Sequence, residues 1–195
     1  MLRSSRYTFD SIIVGTSNDL AYSAAHTVAL YPGIQYNPLF IYSGAGLGKT
    51  HLLQAIARQS KSRKLNCLNV TSEQFTNEFI LSIRERTSEK FRARYRDIDM
   101  LLIDDIQFMA GKDQTQERFF HTFNDLHSNN RQVVITSDKS PSTLPYLEER
   151  LRSRFVWGLI ADIQAPPLET RIAILQEKSR TLKISLDPDV LSFLA

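Results

Sequence analysis

Four short apolar runs punctuate the chain: LFIY at 39–42, LNCLNV at 65–70, MLLI at 100–103 and VVIT at 133–136. Each is strand-like, and each is close to continuously apolar, as expected of a parallel strand covered on both faces. Around them, apolar positions fall at helical spacing. Leu20, Ala24, Val28 and Leu30 predict a first helix over 18–31 that stops at Pro32-Gly33. Further helices are expected near Lys49 after a glycine-rich turn, at Thr71 with Gln74 completing a capping box, and at Gln114 with Phe119, Phe123 and Leu126 on one face. Strands alternating with helices imply an α/β fold built on a mostly parallel, helix-covered sheet. At Pro166-Pro167 the texture changes: Ile172 and Leu175 continue a helical stripe, and Asp187-Pro188 opens another helix toward Leu194 and Ala195. This divides the chain into an α/β core over 1–165 and the start of a small helical unit over 166–195.

Composition narrows the class. With 195 residues, 42% hydrophobic and 23% charged, the chain has the make-up of a globular protein able to bury a core, as one domain or one domain and part of a second. No run of about 18 apolar residues occurs, and the opening MLRSSRYTFD lacks the apolar stretch of a signal peptide, so a cytoplasmic location without a membrane segment is expected. The single cysteine, Cys67, excludes a disulfide framework and a cysteine zinc site, and its apolar setting reads as a buried strand thiol. The histidines His26, His51, His121 and His127 show no paired metal spacing and read as structural or solvent-facing. No Gly-x-Ser-x-Gly appears, which leaves nucleophilic hydrolase chemistry without a foothold. The net charge of +3 says little by itself. Its distribution says more: RERTSEKFRARYR over 84–96 carries Arg84, Arg86, Lys90, Arg92, Arg94 and Arg96, either a solvated helical face or a partner surface.

The strongest chemical signal is SGAGLGKTH, running from the first apolar strand through Gly44, Ala45, Gly46, Leu47 and Gly48 into Lys49, Thr50 and His51. This is a P-loop: backbone amides surround phosphate oxygens, Lys49 reaches the terminal phosphates, and Thr50 ligates magnesium. Ser43 occupies the position usually held by the first glycine, and would be strained if that position required positive φ. A second element, MLLIDDIQF, puts Asp104 and Asp105 at the end of a strand, where open parallel sheets bind ligands. In this Walker B reading Asp104 holds magnesium through water, and Asp105 orients or deprotonates the water that attacks the terminal phosphate. The end of the next strand supplies Thr136, Ser137 and Asp138 as sensor candidates. LEERLRSRF then carries Arg150, Arg152 and Arg154, either paired with Glu148 and Glu149 or presented to a phosphate.

In this order the motifs resemble the AAA+ ATPase domain. Together with YTFDSIIVGTSNDLAYSAA, FFHTFNDL and RLRSRFVWGL they are similar to the DnaA family of bacterial replication initiators over nearly the whole chain from Tyr7. The resemblance implies a P-loop NTPase fold with a central five-stranded parallel sheet flanked by helices, followed by the start of a helical lid. It implies slow ATP hydrolysis to ADP with Mg2+, in a nucleotide switch that assembles a helical homo-oligomer and aids strand opening. By resemblance, Ile13, Val14, Gly15 and Asn18 line the adenine pocket, Asp138 is the first sensor, and Arg154 is the arginine finger offered to a neighbour's ATP. The helical segment between Phe75 and Arg96 matches the family's insertion between protomers. Ile80 and Lys112 match residues that touch single-stranded DNA; Gln114 stands where many members carry a basic residue, so strand binding is expected to be weaker. Replication regulators and helicase-loading proteins are implied as partners. The resemblance further places double-stranded origin reading in a C-terminal domain, and a second-sensor arginine beyond Ala195.

Two rivals remain at the level of sequence. A DnaA-like regulator would bind nucleotide and stimulate the initiator's hydrolysis without reading DNA. A small-molecule P-loop kinase would pass phosphate to a bound acceptor, which the arginine segment and the basic insertion do not favour.

Overall fold

The computed structural model describes residues 7–195. Its sheet has five parallel strands, β1 (Leu39–Ser43), β2 (Cys67–Thr71), β3 (Met100–Asp104), β4 (Gln132–Ser137) and β5 (Leu159–Ile163), in the order β2-β3-β4-β1-β5. The helices are α1 (Asp19–Leu30), α2 (Lys49–Ser62), α3 (Ser72–Arg84), α4 (Ser88–Arg96), α5 (Asp113–Ser128), α6 (Glu149–Phe155), α7 (Leu168–Leu182) and α8 (Pro188–Leu194). Among the described residues, no helix is long and apolar enough to cross a membrane.

Alternation along the strands assigns the two faces. Leu39, Ile41, Met100, Leu102, Val134, Ala161 and Ile163 pack with α1 and α2 residues such as Val28, Leu53 and Ile56. Phe40, Val70, Leu101, Ile103, Val133 and Ile135 point the other way, onto Phe75, Phe91, Phe119, Phe123, Leu151 and Phe155 of α3 to α6. The three central strands, β1, β3 and β4, therefore bury both faces, which is why their apolar runs are continuous rather than alternating. The predicted stripe of Phe119, Phe123 and Leu126 is fully inside. At the start of α3 the expected capping box is present, with the Gln74 amide donating to Thr71 Oγ1 at 3.0 Å and the Thr71 amide donating to Gln74 Oε1 at 2.9 Å.

The fifth strand has no signal in the apolar runs. LIADI is an edge strand paired only with β1, and Asp162 together with half-exposed neighbours breaks the continuous pattern that marks the three inner runs; β2, paired only with β3, forms the opposite edge. Cys67 corrects another expectation: it lies in β2 but is half-buried rather than fully buried. Burial still pushes its thiol up to about 11, against the opposing influence of Lys61 and the Ser60 hydroxyl, so the thiol stays protonated and inert near neutral pH.

Candidate functional site

The strands are parallel and in register, so Ser43, Thr71, Asp104, Ser137 and Ile163 share one edge of the sheet. There the chain leaves β1, turns through Gly44 to Gly48 and enters α2 at Lys49. Gly46 (φ 78°) and Gly48 (φ 102°) hold the left-handed conformations that let this turn point its amides into one concavity. Ser43 is not among the positive-φ residues; it ends β1 in the register of Ile163, so the strain considered for a serine there does not arise. Its hydroxyl takes a place in the loop instead, donating to the Gly44 carbonyl at 2.9 Å. Buried Lys49 donates from Nζ to the Ser43 carbonyl (2.9 Å), the Gly44 carbonyl (3.0 Å) and Ser43 Oγ (3.2 Å). Its cation is thus held at the neck of the loop by neutral oxygens, without a carboxylate.

Asp104 is buried at the end of β3 and uses both oxygens. Thr50 Oγ1 donates to Oδ2 at 2.9 Å, and the Thr136 hydroxyl donates to Oδ1. Thr136, which the sequence offered alongside Ser137 and Asp138, also accepts the Asp105 amide at 3.0 Å, so one hydroxyl ties both aspartates to β4. The Asp138 side chain is exposed, and its amide donates to Gln107 Oε1 at 3.3 Å. Gln107 was passed over in the sequence; the signal available for it was its position two residues after Asp105.

On the other side of the loop, Asn18 folds the 13–18 segment onto itself. Its Oδ1 accepts the Gly15 amide at 2.8 Å and its Nδ2 donates to the Ile13 carbonyl at 3.0 Å. Val14 is exposed, Ile13 is half-buried, and a Cβ on Gly15 would meet Thr170 Oγ1 of α7 at 2.8 Å. The three positions form one ledge, and only glycine lets α7 approach it so closely. His51 does not face the phosphate loop. Its Nε2 lies 3.1 Å from both the Thr8 carbonyl and Ser11 Oγ, and its ring meets Tyr7 edge-on at 5.0 Å. Burial lowers its pKa below the usual 6.5, with the Thr8 carbonyl acting in the opposite sense, so the ring is neutral at pH 7.

Arg154 lies apart from its own loop. It precedes β5, whose first residue Leu159 pairs with Leu39 at the start of β1, whereas the loop follows the end of that strand. A five-residue strand separates these edges by roughly 13 Å. The Arg154 guanidinium lies 3.8 Å from the Trp157 ring centroid and 5.6 Å from that of Phe120, and among the described residues it has no ion pair. Arg150 and Arg152 pair instead with Glu148 and Glu149, the arrangement weighed for them in the sequence.

Ile80 on α3 and Lys112 before α5 are both exposed. The segment between Phe75 and Arg96 folds as two helices, α3 and α4, broken at 85–87 where Arg86 is left-handed (φ 57°), and the basic run lies on the end of α3, this break and α4. Arg92, Arg94 and Arg96 pair with Glu89, Glu78 and Asp125, while Arg84, Arg86 and Lys90 make no ion pair among the described residues. Half of the run is therefore a paired helix surface.

Comparison with known proteins gives a consistent picture. A family model described as the bacterial DnaA ATPase domain matches residues 3–162. The chromosomal replication initiator protein DnaA of Herpetosiphon aurantiacus is 58% identical over 192 residues, covering 97% of this chain and 41% of that protein. That of Aliarcobacter butzleri is 56% identical over 189 residues, covering 97% and 43%. The chain thus spans about two fifths of the length of these relatives. Domain III of the Thermotoga maritima DnaA superposes with a TM-score of 0.93 at 44% identity, over 97% of this chain and 80% of that one. A replication initiator DnaA bound to AMPPCP and single-stranded DNA superposes with a TM-score of 0.93 at 36% identity, over 97% and 59%. The DnaC helicase loader, at 16% identity and a TM-score of 0.73 over 84% of this chain and 100% of its own, shares the fold alone.

Proposed function

The chain belongs to the bacterial DnaA ATPase domain family, and from that premise we propose that it works as the nucleotide switch of a replication initiator, binding ATP, hydrolysing it slowly, and engaging single-stranded DNA and further copies of itself in the ATP state. The observation that carries this reading is the hydrogen bond from Thr50 to Asp104, which joins the phosphate loop to the carboxylate at the end of β3.

The phosphates would be held by the amides of Gly44 to Thr50 and by Lys49, whose ammonium exchanges its present carbonyl partners for phosphate oxygens. Two hard oxygen donors 2.9 Å apart, the Thr50 hydroxyl and the Asp104 carboxylate, suit Mg2+, which when bound neutralises charge on the β- and γ-phosphates. Asp105 orients or deprotonates a water whose oxygen attacks the γ-phosphorus as the bond to the ADP oxygen breaks. Asp138 serves as first sensor, and the 13–18 ledge receives adenine. Arg154 acts on a neighbour's ATP, a role supported by its place at the opposite edge of the sheet from its own loop. Ile80 and Lys112 face the DNA strand, residues 166–195 begin the lid, and regulators and helicase loaders are the expected protein partners.

The regulator reading is not favoured, since the relatives matched at 55–58% identity are initiators by name. The test is fluorescence anisotropy of a labelled single strand with ATP, ADP or no nucleotide at two salt concentrations, because phosphate contacts weaken with salt. ATP-selective, salt-sensitive binding is expected. Nucleotide binding without strand binding in any state would sink the DNA part of the proposal, and ADP formation that requires an added acceptor, with the phosphoryl group passing to that acceptor rather than to water, would point to a kinase.

A further inference from the structure

Asp105 is held in an unusual way. Its backbone is left-handed (φ 57°, ψ 57°), a conformation that aspartate tolerates but that needs surrounding support. That support is complete at the backbone: the amide donates to Thr136 Oγ1 at 3.0 Å, and the carbonyl accepts the Ser72 hydroxyl, from the first residue of α3, at 2.6 Å. Only the two side-chain torsions remain to be set. Gln107 sets them. Its Nε2 donates to Asp105 Oδ1 at 3.1 Å, and its Oε1 accepts the Asp138 amide at 3.3 Å.

The two ends of this amide are not interchangeable. Flipping it would place Oε1 against a carboxylate oxygen and Nε2 against an N–H, two repulsive contacts in place of two hydrogen bonds. Asp105 Oδ2 has no partner among the described residues, so one oxygen is fastened and the other is left for a water.

We propose that Gln107 is a positioning residue for hydrolysis: its side-chain amide aims the Asp105 carboxylate and locks it to the sensor strand at Asp138. The inference rests on the assignment of Asp105 to the attacking water. Gln107 acts through Asp105. The link makes the aim of that carboxylate depend on where the end of β4 sits: Thr136 joins β4 to the Asp105 backbone, and Gln107 joins it to the Asp105 side chain.

The experiment compares Gln107→Met, which keeps length and drops both hydrogen bonds, with Gln107→Glu, which keeps the acceptor for Asp138 and sets a like charge against Asp105. Asp105→Asn is the control. Single-turnover ATP hydrolysis, ATP and ADP affinity and melting temperature are read for each. The expected result is a fall in hydrolysis rate of about tenfold for Gln107→Met, the scale set by misaimed reacting groups, and a larger fall for Gln107→Glu. Nucleotide affinities should stay within about twofold, since neither variant removes a phosphate contact. An unchanged or raised rate in Gln107→Met, alongside a fall in Asp105→Asn, overturns the proposal and leaves the Asp105 assignment standing. An unchanged rate in Asp105→Asn overturns both. Rate, affinity and melting temperature falling together in Gln107→Met would make the residue a structural brace and also overturn the proposal.

Discussion

Thr50 and Asp104 are 54 residues apart in sequence, yet their side-chain oxygens lie 2.9 Å from one another across a strand that belongs to neither. Thr50 opens the helix after β1 and Asp104 ends β3, but the sheet order puts β4 between them. The gap is closed by the carboxylate itself, which accepts Thr50 on one oxygen and Thr136, from the intervening β4, on the other. Three elements thus meet at one buried aspartate, and the glycine-rich loop, Asp105 and the end of β4 have a common reference point.

Thr136 should accordingly be a stability residue as well as a site residue. It is fully buried, and Thr136→Val keeps its shape while removing a donor to Asp104 and the acceptor of the Asp105 amide. Leaving buried polar groups unpaired costs about 1–3 kcal/mol. Urea unfolding should show a loss of that size for Thr136→Val and a much smaller one for Thr136→Ser; equal midpoints for valine and wild type would contradict the network.

Lys49→Ala should weaken ATP binding by at least about tenfold, the scale of one lost charge-assisted hydrogen bond. Nothing else nearby can take over, because the ammonium is the cation at the neck of the loop and its present partners are oxygens of Ser43 and Gly44. Folding should be preserved, since no carboxylate depends on Lys49. Titration calorimetry with ATP decides the matter, and an unchanged dissociation constant would remove Lys49 from the phosphate site.

The inner architecture was legible in the sequence because its signals are local. The three central strands, buried on both faces, and edge strand β2 read as apolar runs, and the Thr71–Gln74 cap reads as a three-residue spacing. Edge strand β5 was not legible from pattern, since Asp162 and its half-exposed neighbours interrupt the apolar character that the opposite edge strand, β2, keeps at Cys67, Leu68 and Val70. In the site, Lys49, Thr50, Asp104 and Asp105 announce themselves by motif. Gln107 and the Ser72 hydroxyl do not, because their roles follow from a left-handed turn at Asp105 and from the packing of α3 beside it. Ser43 shows the converse: the motif raised a question of strain that its place in β1 answers.

His51 should make stability depend on pH. Its folded pKa lies below the unfolded 6.5 because burial disfavours the charged ring. Between those two values the unfolded chain binds more protons, so stability is present above pH 6.5 and is lost as pH falls through the window beneath it. His51→Gln should lose less stability than wild type between pH 7.5 and 5.5 in urea unfolding followed by circular dichroism. Identical losses would show that burial of the His51 ring does not govern acid sensitivity.

Arg154→Ala should leave nucleotide binding by the isolated chain unchanged and should impair ATP-dependent assembly. Its guanidinium is stacked on Trp157 at the strand-start edge, away from its own phosphate loop, and among the described residues no carboxylate pairs with it. The stacking pre-orients a planar cation for a partner's phosphate, a contact of at least about 0.5–1 kcal/mol for a half-buried guanidinium. Trp157→Ala should therefore weaken assembly in the same direction but less, and Arg154→Lys should fail to restore it, because an ammonium offers no planar fork. Sedimentation with ATP and with ADP, alongside ATP affinity at a concentration where the chain is monomeric, separates the cases. Loss of ATP affinity in monomeric Arg154→Ala would place the arginine in its own site and refute action across the interface.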